Sequence, residues 1–141
     1  IPYAAWIAAG TDKPMLYVRK KPKGFGRDAQ IEGSLEEGKK ALLVEDLATD
    51  GGSKINFVEA LRHAGAEVSD IFVVFFYGAF PNALGALEET GVRLHYLCTW
   101  ADVLKVAEDG NYFGDEAIAG VRDFLSDPVA WSVAHRGKGA D

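Results

Sequence analysis

The sequence contains one cysteine and no long apolar run. With Cys98 alone, the 141-residue chain can form neither an internal disulfide nor a cysteine zinc cluster. Cys98 stands in an apolar stretch, which predicts a buried structural thiol. No segment reaches the ~18 uninterrupted apolar residues of a membrane-spanning helix, and no basic, apolar-cored signal peptide is recognisable. We therefore expect a cytoplasmic location.

Positive charge is also scarce. Lys and Arg number 15 against 21 Asp and Glu, and the net charge is −6, so the sequence predicts neither a nucleic-acid nor a membrane partner. The three scattered histidines have no Asp, Glu or Cys at ligand spacing, and we expect no metal site built from them. The length and a hydrophobic fraction of 48% indicate one domain, residues 1–141, with a core of its own.

The most informative stretch is residues 41–53. A short apolar run at 41–44 predicts a buried strand. It is followed by Glu45 and Asp46, by a polar turn with two glycines, and by a helix that Ser53 can cap. Glycines keep Cβ atoms away from backbone N–H groups, and at a helix N-terminus such groups bind anions together with the helix dipole. The stretch therefore predicts a phosphate site where the strand passes into the helix.

Other phosphate-loop and hydrolytic motifs do not fit this stretch. It is neither a Walker A nor a Gly-x-Gly-x-x-Gly sequence, and Ser53 lacks the Gly-x-Ser-x-Gly elbow of a hydrolytic nucleophile. Glu45 and Asp46 would repel a phosphate unless they had another role, and hydrogen bonding to the 2- and 3-hydroxyls of a ribose is such a role. The alternative is a strand–turn–helix corner of some other α/β domain.

Residues 42–53 resemble the phosphoribosyl pyrophosphate (PRPP) motif of type I phosphoribosyltransferases: an apolar run, two acids, two small or apolar residues, Thr, a small residue, Gly and a short Ser, Thr or Gly end. The resemblance implies that the acids hold the ribose hydroxyls and that the turn cradles the 5-phosphate. The motif residues implied in PRPP binding are Glu45, Asp46, Leu47, Ala48, Thr49, Asp50, Gly51, Gly52 and Ser53.

A basic segment precedes this motif. Residues 19–27 hold five of the fifteen basic residues, and the Pro and Gly residues among them argue against regular structure. One interpretation is a solvated surface hairpin. Beside a PRPP motif we favour a flexible loop over residues 19–38, which closes on the departing pyrophosphate and excludes water.

The basic segment is similar to the active-site loop of orotate phosphoribosyltransferases. Arg19, Lys20, Lys23 and Gly26 match, whereas Phe25 stands where many members have His. The resemblance implies that the Arg and the two Lys residues bind the pyrophosphate of PRPP. It also implies a homodimer in which the loop acts in the neighbouring subunit.

The implied reaction transfers the 5-phosphoribosyl group from PRPP to orotate, giving orotidine 5-monophosphate and pyrophosphate in pyrimidine biosynthesis. Lys23 and Asp46 would be catalytic, and Thr49 would also contact orotate. The implied cofactor is Mg²⁺, carried mainly by PRPP rather than by protein ligands. Many members hold the base carboxylate with an Arg after the next strand, but none lies between Asp70 and Arg93. A phosphoribosyltransferase for a purine or other base, and a PRPP-sensing regulator without activity, are therefore the alternatives.

The rest of the chain predicts alternating strands and helices, and hence an α/β fold with a central, mostly parallel sheet flanked by helices. At the start, a helix entered without an approach segment and without an initiating Met leads us to expect a missing N-terminal part. The predicted elements are a helix over 2–9 ended by Gly10, a strand over 15–18, an interior parallel strand over 68–76, a helix over 83–90, an edge strand over 92–98, a helix capped by Thr99 and Asp102, a helix over 115–125, and a tail over 127–141 that is irregular from 131.

Overall fold

The structure is a computed structural model that describes residues 1–21 and 30–137. Its elements in chain order are α1 (Pro2–Thr11), β1 (Tyr17–Val18), β2 (Ile31–Glu32), β3 (Lys40–Ala48), α2 (Gly52–His63), β4 (Glu67–Phe76), α3 (Ala83–Glu89), β5 (Arg93–Thr99), α4 (Trp100–Asp109), α5 (Asp115–Ser126) and α6 (Pro128–Ala134).

A parallel sheet forms the centre of the described structure. Its strands lie in the order β3-β4-β5, and β1 and β2 form a separate antiparallel pair. β4 is the middle strand, as its apolar sequence predicts, and Ile71 and Val73 are fully buried in it. Burying a side chain of this size contributes about 1.5–3 kcal/mol. The predicted α/β fold with a parallel sheet is confirmed.

The core lies between this sheet and two helices. α2 contributes Phe57, Val58 and Leu61, and α3 contributes Leu87; all four are buried among the side chains of β3 and β4. The helical spacing of these residues explains why α2 presents one apolar face to the sheet. The same packing fixes where α2 begins relative to the end of β3.

β3 is longer than the sequence suggests. It continues to Ala48, so the strand predicted over 41–44 was too short. Its last residues keep the parallel pairing with β4, since Glu45 lies opposite Val73 and Ala48 lies opposite Phe76. The acid pair therefore lies within the strand rather than after it, because pairing with β4 outweighs the weak strand preference of acidic side chains.

Several predicted boundaries are confirmed and others are wrong. Thr99 caps α4 in a reciprocal capping box with Asp102, as predicted. α1 continues past Gly10 and ends at Asp12 in a left-handed conformation (φ 51°), so the predicted glycine end was wrong. Cys98 is half-buried rather than buried, with its sulfur 3.8 Å from the carbonyl oxygen of Val74.

The tail predicted to be irregular from residue 131 contains most of α6. Asp127 caps this helix by accepting a hydrogen bond from the backbone N–H of Ala130 at 2.9 Å. Trp131 packs edge-to-face on Phe124 of α5, with ring centroids 5.4 Å apart, and stacks on His135 at 3.9 Å. The prediction failed for residues 131–134 because aromatic packing against a neighbouring helix, rather than a helical apolar period, holds them.

A polar cluster lies on β4 and β5, towards the amino ends of the strands. The Asp70 carboxylate accepts hydrogen bonds from Ser69 Oγ at 2.7 Å and contacts His95 Nε2 at 2.8 Å, and Arg93 lies 3.1 Å away. The hydrogen bond with His95, then that from Ser69, and the nearby Arg93 lower the pKa of Asp70 from 3.8 to about 2. This cluster ties the two strands together at the end of the sheet away from the β3–α2 corner.

Candidate active site

One cleft opens at the carboxyl end of β3, where the chain turns into α2. Its volume is about 350 Å³. It is lined by Lys20, Glu45, Asp46, Leu47, Thr49, Ser53, Lys54 and Phe57. We call it the β3–α2 cleft. The carboxyl ends of parallel strands are where ligands bind in open α/β sheets, and five of these lining residues belong to the predicted PRPP motif.

The turn into α2 requires a glycine at one position. Gly51 has a left-handed φ of 87°, and a Cβ there would lie 3.3 Å from both the carbonyl oxygen of Ala83 and Cγ of Leu87. A side chain at Gly51 is therefore disfavoured both by the left-handed conformation and by close packing. Gly52 faces no such restriction, since its nearest neighbour, Asp50 Oδ1, would be 3.8 Å from an added Cβ.

α2 begins two residues earlier than the serine cap predicts. Gly51 is the N-cap, with no side-chain capping hydrogen bond, and Ser53 is the second residue of the helix. Ser53 therefore does not cap α2; its exposed side chain lines the cleft instead. The N–H groups at the start of a helix lack the usual acceptor four residues earlier; here Gly52 N–H donates to Asp50 Oδ1 and Lys54 N–H donates to the Gly51 carbonyl. The first turn of α2 contains no acidic residue. Both features favour an anion at this position.

The turn itself is held by an aspartate. Asp50 Oδ1 accepts a hydrogen bond from the backbone N–H of Gly52 at 3.1 Å and lies 3.4 Å from Thr49 Oγ1. This Asx-type contact fixes the polypeptide between β3 and α2. Thr49 lines the cleft, whereas Ala48, directly before it, is 1% exposed and belongs to the core. Ala48 can therefore offer a ligand only its backbone.

Both acids of the pair line the cleft, and their surroundings differ. The Asp46 side chain is exposed. The Glu45 carboxylate is only 26% exposed and forms an ion pair with Lys54 Nζ. Lys54 is 6% exposed and is not among the site residues predicted from the sequence. Its spacing to Phe57 is a signal that was present, because residues three and four apart share one face of a helix and the buried face of α2 begins at Lys54.

Within the described part of the basic segment, Lys20 and Arg19 have different surroundings. Lys20 lines the β3–α2 cleft of its own chain. Arg19 is turned to β2, with its Nε 3.1 Å from Glu32 Oε1. Arg19 also pairs with Gln30: Gln30 Nε2 donates to the Arg19 carbonyl at 3.0 Å, and the Arg19 N–H donates to the Gln30 carbonyl at 2.8 Å. Lys23 lies outside the described residues.

Aromatic side chains occupy the end of β4 beside the cleft. The backbone N–H of Tyr77 donates to the Ala48 carbonyl at 2.9 Å, which places this end next to the turn. The Tyr77 ring packs edge-to-face on Phe75 and on Trp100, at 5.7 and 5.8 Å. The Nε1 of Trp100 is buried and has no hydrogen-bond partner among the described residues. Tyr77 directly follows β4, in the segment where the family resemblance implies a base-binding Arg.

The described residues contain neither a metal-binding cluster nor a membrane-spanning helix. Residues 1–21 and 30–137 contain no cluster of three or more His, Cys, Asp or Glu residues that could hold a metal ion. Among the helices of those ranges, none has the length and apolarity that a membrane crossing needs.

The fold and the cleft together define a class of protein. A parallel sheet with flanking helices carries two acids near the end of a strand, a glycine turn and a helix without an acid in its first turn, and these features meet at one cleft. This is the type I phosphoribosyltransferase fold. No family model matches the sequence, and the comparisons with individual proteins narrow the class.

The chain is similar in sequence to curated orotate phosphoribosyltransferases. The curated orotate phosphoribosyltransferase of Dinoroseobacter shibae is 54% identical over 136 residues, which are 96% of this chain and 60% of that protein. The solved orotate phosphoribosyltransferase of Aeropyrum pernix is 34% identical with a TM-score of 0.64, over 80% of this chain and 60% of that one. UMP synthase of Leishmania donovani is 27% identical with a TM-score of 0.77, over 89% of this chain and 27% of that one.

These relatives confirm the resemblance of the chain to orotate phosphoribosyltransferases. The chain spans about 60% of the length of the curated relatives it matches.

Proposed function

We propose that the whole protein transfers the 5-phosphoribosyl group of PRPP to orotate. The observation that carries this proposal is that the acid pair, the glycine turn and Lys20 open onto one cleft in a chain whose homologues are named orotate phosphoribosyltransferase. In the reaction, the bond from C1 of the ribose to the pyrophosphate oxygen breaks and its electron pair leaves with pyrophosphate. A bond from C1 to N1 of orotate forms, and orotate loses its N1 proton.

The 5-phosphate binds at residues 49–53. The N–H groups of the turn and of the first turn of α2, together with the Thr49 and Ser53 hydroxyls, are its hydrogen-bond donors. Gly52 at present donates to Asp50 Oδ1, so a phosphate oxygen either replaces that carboxylate or binds to the donors beside it. The absence of acids from the first turn of α2 supports this placement.

Glu45 and Asp46 bind the ribose. Ionised carboxylates are acceptors only, so they match the two hydroxyl donors of the sugar. As the bond to pyrophosphate breaks, positive charge develops at C1 of the ribose. The exposed Asp46 carboxylate is the group of the pair free of a lysine partner in the described structure, and we assign it the stabilisation of that charge.

Lysines stabilise the departing pyrophosphate. Lys20 lines the cleft of its own chain, which supports a role in its own subunit. Arg19 would have to leave Glu32 to contribute, and Lys23 is proposed as the catalytic lysine from the family pattern alone. We propose a homodimer in which Lys23, and not Lys20, acts in the neighbouring subunit. Mixing Lys23→Ala and Asp46→Asn subunits tests this, because complementation restores one intact site per dimer only if the two residues come from different chains.

Mg²⁺ is the proposed cofactor. The residues fit an ion held mostly by its substrate: Asp46 is an exposed carboxylate on the cleft, Glu45 is already paired, and the described residues form no three-ligand cluster. Mg²⁺ retains water and binds substrate phosphates through one or two carboxylates at most. When bound to PRPP it would neutralise part of the pyrophosphate charge.

A cytoplasmic location stays a prediction of the sequence.

A base panel tests the proposal. The full-length protein is incubated with PRPP and Mg²⁺ and, in parallel, with orotate, adenine, hypoxanthine or uracil, and the loss of each base is measured. We expect orotate alone to be consumed. Consumption of a purine but not orotate would favour the second candidate, which the lack of an Arg between Asp70 and Arg93 supports. Tight PRPP binding with no base consumed would favour a PRPP-sensing regulator.

A further inference from the structure

The buried amine of Lys54 has no role in the function proposed so far. Its side chain is 8% exposed, at the start of the face of α2 that packs on the sheet. An ammonium group is costly to bury unless it is paired and hydrogen-bonded. Both conditions are met within the cleft, since Lys54 Nζ forms an ion pair with Glu45 and lies 3.3 Å from Ser53 Oγ.

Lys54 contacts one residue in the proposed sugar-binding part of the cleft and one in the proposed phosphate-binding part. Glu45 belongs to the acid pair at the end of β3, and Ser53 belongs to the first turn of α2 where an anion is favoured. Lys54 is thus the described side chain that joins the sugar-binding and phosphate-binding parts of the cleft.

The positive charge of Lys54 balances the charge of the cleft wall. The charged residues that line it are two lysines and two carboxylates, so the wall has no net formal charge. Without Lys54 the wall would be negative next to the place where a phosphate must bind. In a partly buried site, where the effective dielectric constant is well below that of water, such repulsion is strong. Lys54 neutralises one of the two carboxylates, Glu45, and so weakens the repulsion between the acid pair and a bound phosphate.

The contact with Ser53 acts in the same direction. Lys54 can only donate, so Ser53 Oγ is the acceptor in this hydrogen bond. A serine hydroxyl that accepts from a lysine has its own hydrogen left to donate elsewhere. With Oγ on the cleft wall, that hydrogen is available to a phosphate oxygen.

We propose that Lys54 is a positioning residue for the phosphoribosyl group: it neutralises and fixes Glu45 against the sugar hydroxyls and orients Ser53 to donate to the 5-phosphate. The proposal rests on the proposed function of the cleft. It differs from a purely structural ion pair, because buried ion pairs add little stability compared with apolar residues of the same volume, and a structural pair would not discriminate between ligands.

Two ligands and one matched control separate these roles. Lys54→Met removes the charge but keeps most of the volume. Lys105→Met removes a lysine that also pairs with an acid, Asp109, on the exposed face of α4 and away from the cleft. Dissociation constants are measured by calorimetry for inorganic phosphate, which carries only the charge, and for ribose 5-phosphate, which adds the hydroxyls.

We expect Lys54→Met to weaken both ligands by about tenfold or more, while Lys105→Met binds both as the wild type does. Lys54→Arg keeps a cation and should retain most of the affinity. Glu45→Gln in the Lys54→Met background removes the uncompensated acid. It should restore phosphate binding but not ribose 5-phosphate binding, because the carboxylate acceptor for the hydroxyls is gone.

The proposal would be overturned if Lys54→Met bound each ligand with the same dissociation constant as the wild type. It would also be overturned if the Lys54 and Lys105 variants lost affinity to the same extent. If Lys54→Met does not fold, the Glu45→Gln, Lys54→Met double variant removes both charges of the ion pair, and the same comparison of the two ligands decides. A wild-type protein that consumes orotate while Lys54→Met binds normally would refute this inference alone. A wild-type protein that neither binds PRPP nor consumes a base would refute the proposed function instead.

Discussion

Gly51 allows a prediction whose size follows directly from geometry. Replacing it by Ala places a Cβ in a left-handed conformation, which costs an L-residue about 1–2 kcal/mol. The same Cβ would lie 3.3 Å from the Ala83 carbonyl oxygen and from Leu87 Cγ, and crowding of this kind in a packed region costs about 1–3 kcal/mol. Allowing for partial relaxation of the Leu87 side chain, we expect Gly51→Ala to lower the free energy of unfolding by about 2–4 kcal/mol.

Urea unfolding followed by circular dichroism measures this loss, with Gly52→Ala as the matched control. Gly52 has no left-handed φ, and an added Cβ meets Asp50 Oδ1 at an ordinary 3.8 Å. Alanine also favours a helix over glycine by up to about 1 kcal/mol, so the control should be neutral or slightly stabilising. A loss below about 1 kcal/mol for Gly51→Ala, or equal losses for both variants, would refute the account of this turn.

Two further predictions concern the basic segment and the polar cluster. Lys20→Ala should lower the rate of phosphoribosyl transfer, on the order of 10²-fold by analogy with other groups that stabilise developing negative charge; steady-state kinetics measure it, and Lys21→Ala, whose side chain does not line the cleft, should leave the rate unchanged. Asp70 has its pKa lowered to about 2, so its contribution to stability is present above pH ~4 and is lost as the pH falls through ~2. Asp70→Asn should therefore unfold more readily than wild type at neutral pH and lose that difference in acid, and an unchanged difference between pH 4 and 2 would contradict the assignment.

The sequence predicted features that depend on neighbouring residues along the chain. The capping box of Thr99 and Asp102 is local, and it was confirmed. The continuous apolar run of β4 predicts a strand buried on both faces, and it is the middle strand of the parallel sheet. The order of strand, acids, glycines and helix was likewise sufficient to predict where the cleft lies.

Features that depend on distant partners were missed. The end of β3 at Ala48 is set by pairing with β4, which outweighs the local preference of two acids. α6 is held by the Phe124 ring of α5, a contact that no local period reveals. Lys54 shows the same limitation in the site. Its spacing to Phe57 predicts that Lys54 lies on the buried face of α2. The carboxylate that compensates its charge, however, belongs to Glu45 on β3.

The central claim is that a sugar phosphate binds where β3 gives way to α2. A crystal structure of the full-length protein with ribose 5-phosphate tests it most directly. We predict the phosphate at the N–H groups of residues 49–53 and the 2- and 3-hydroxyls within hydrogen-bond distance of Glu45 and Asp46. Density for the ligand at another place, with the β3–α2 cleft filled by protein side chains, would contradict the claim.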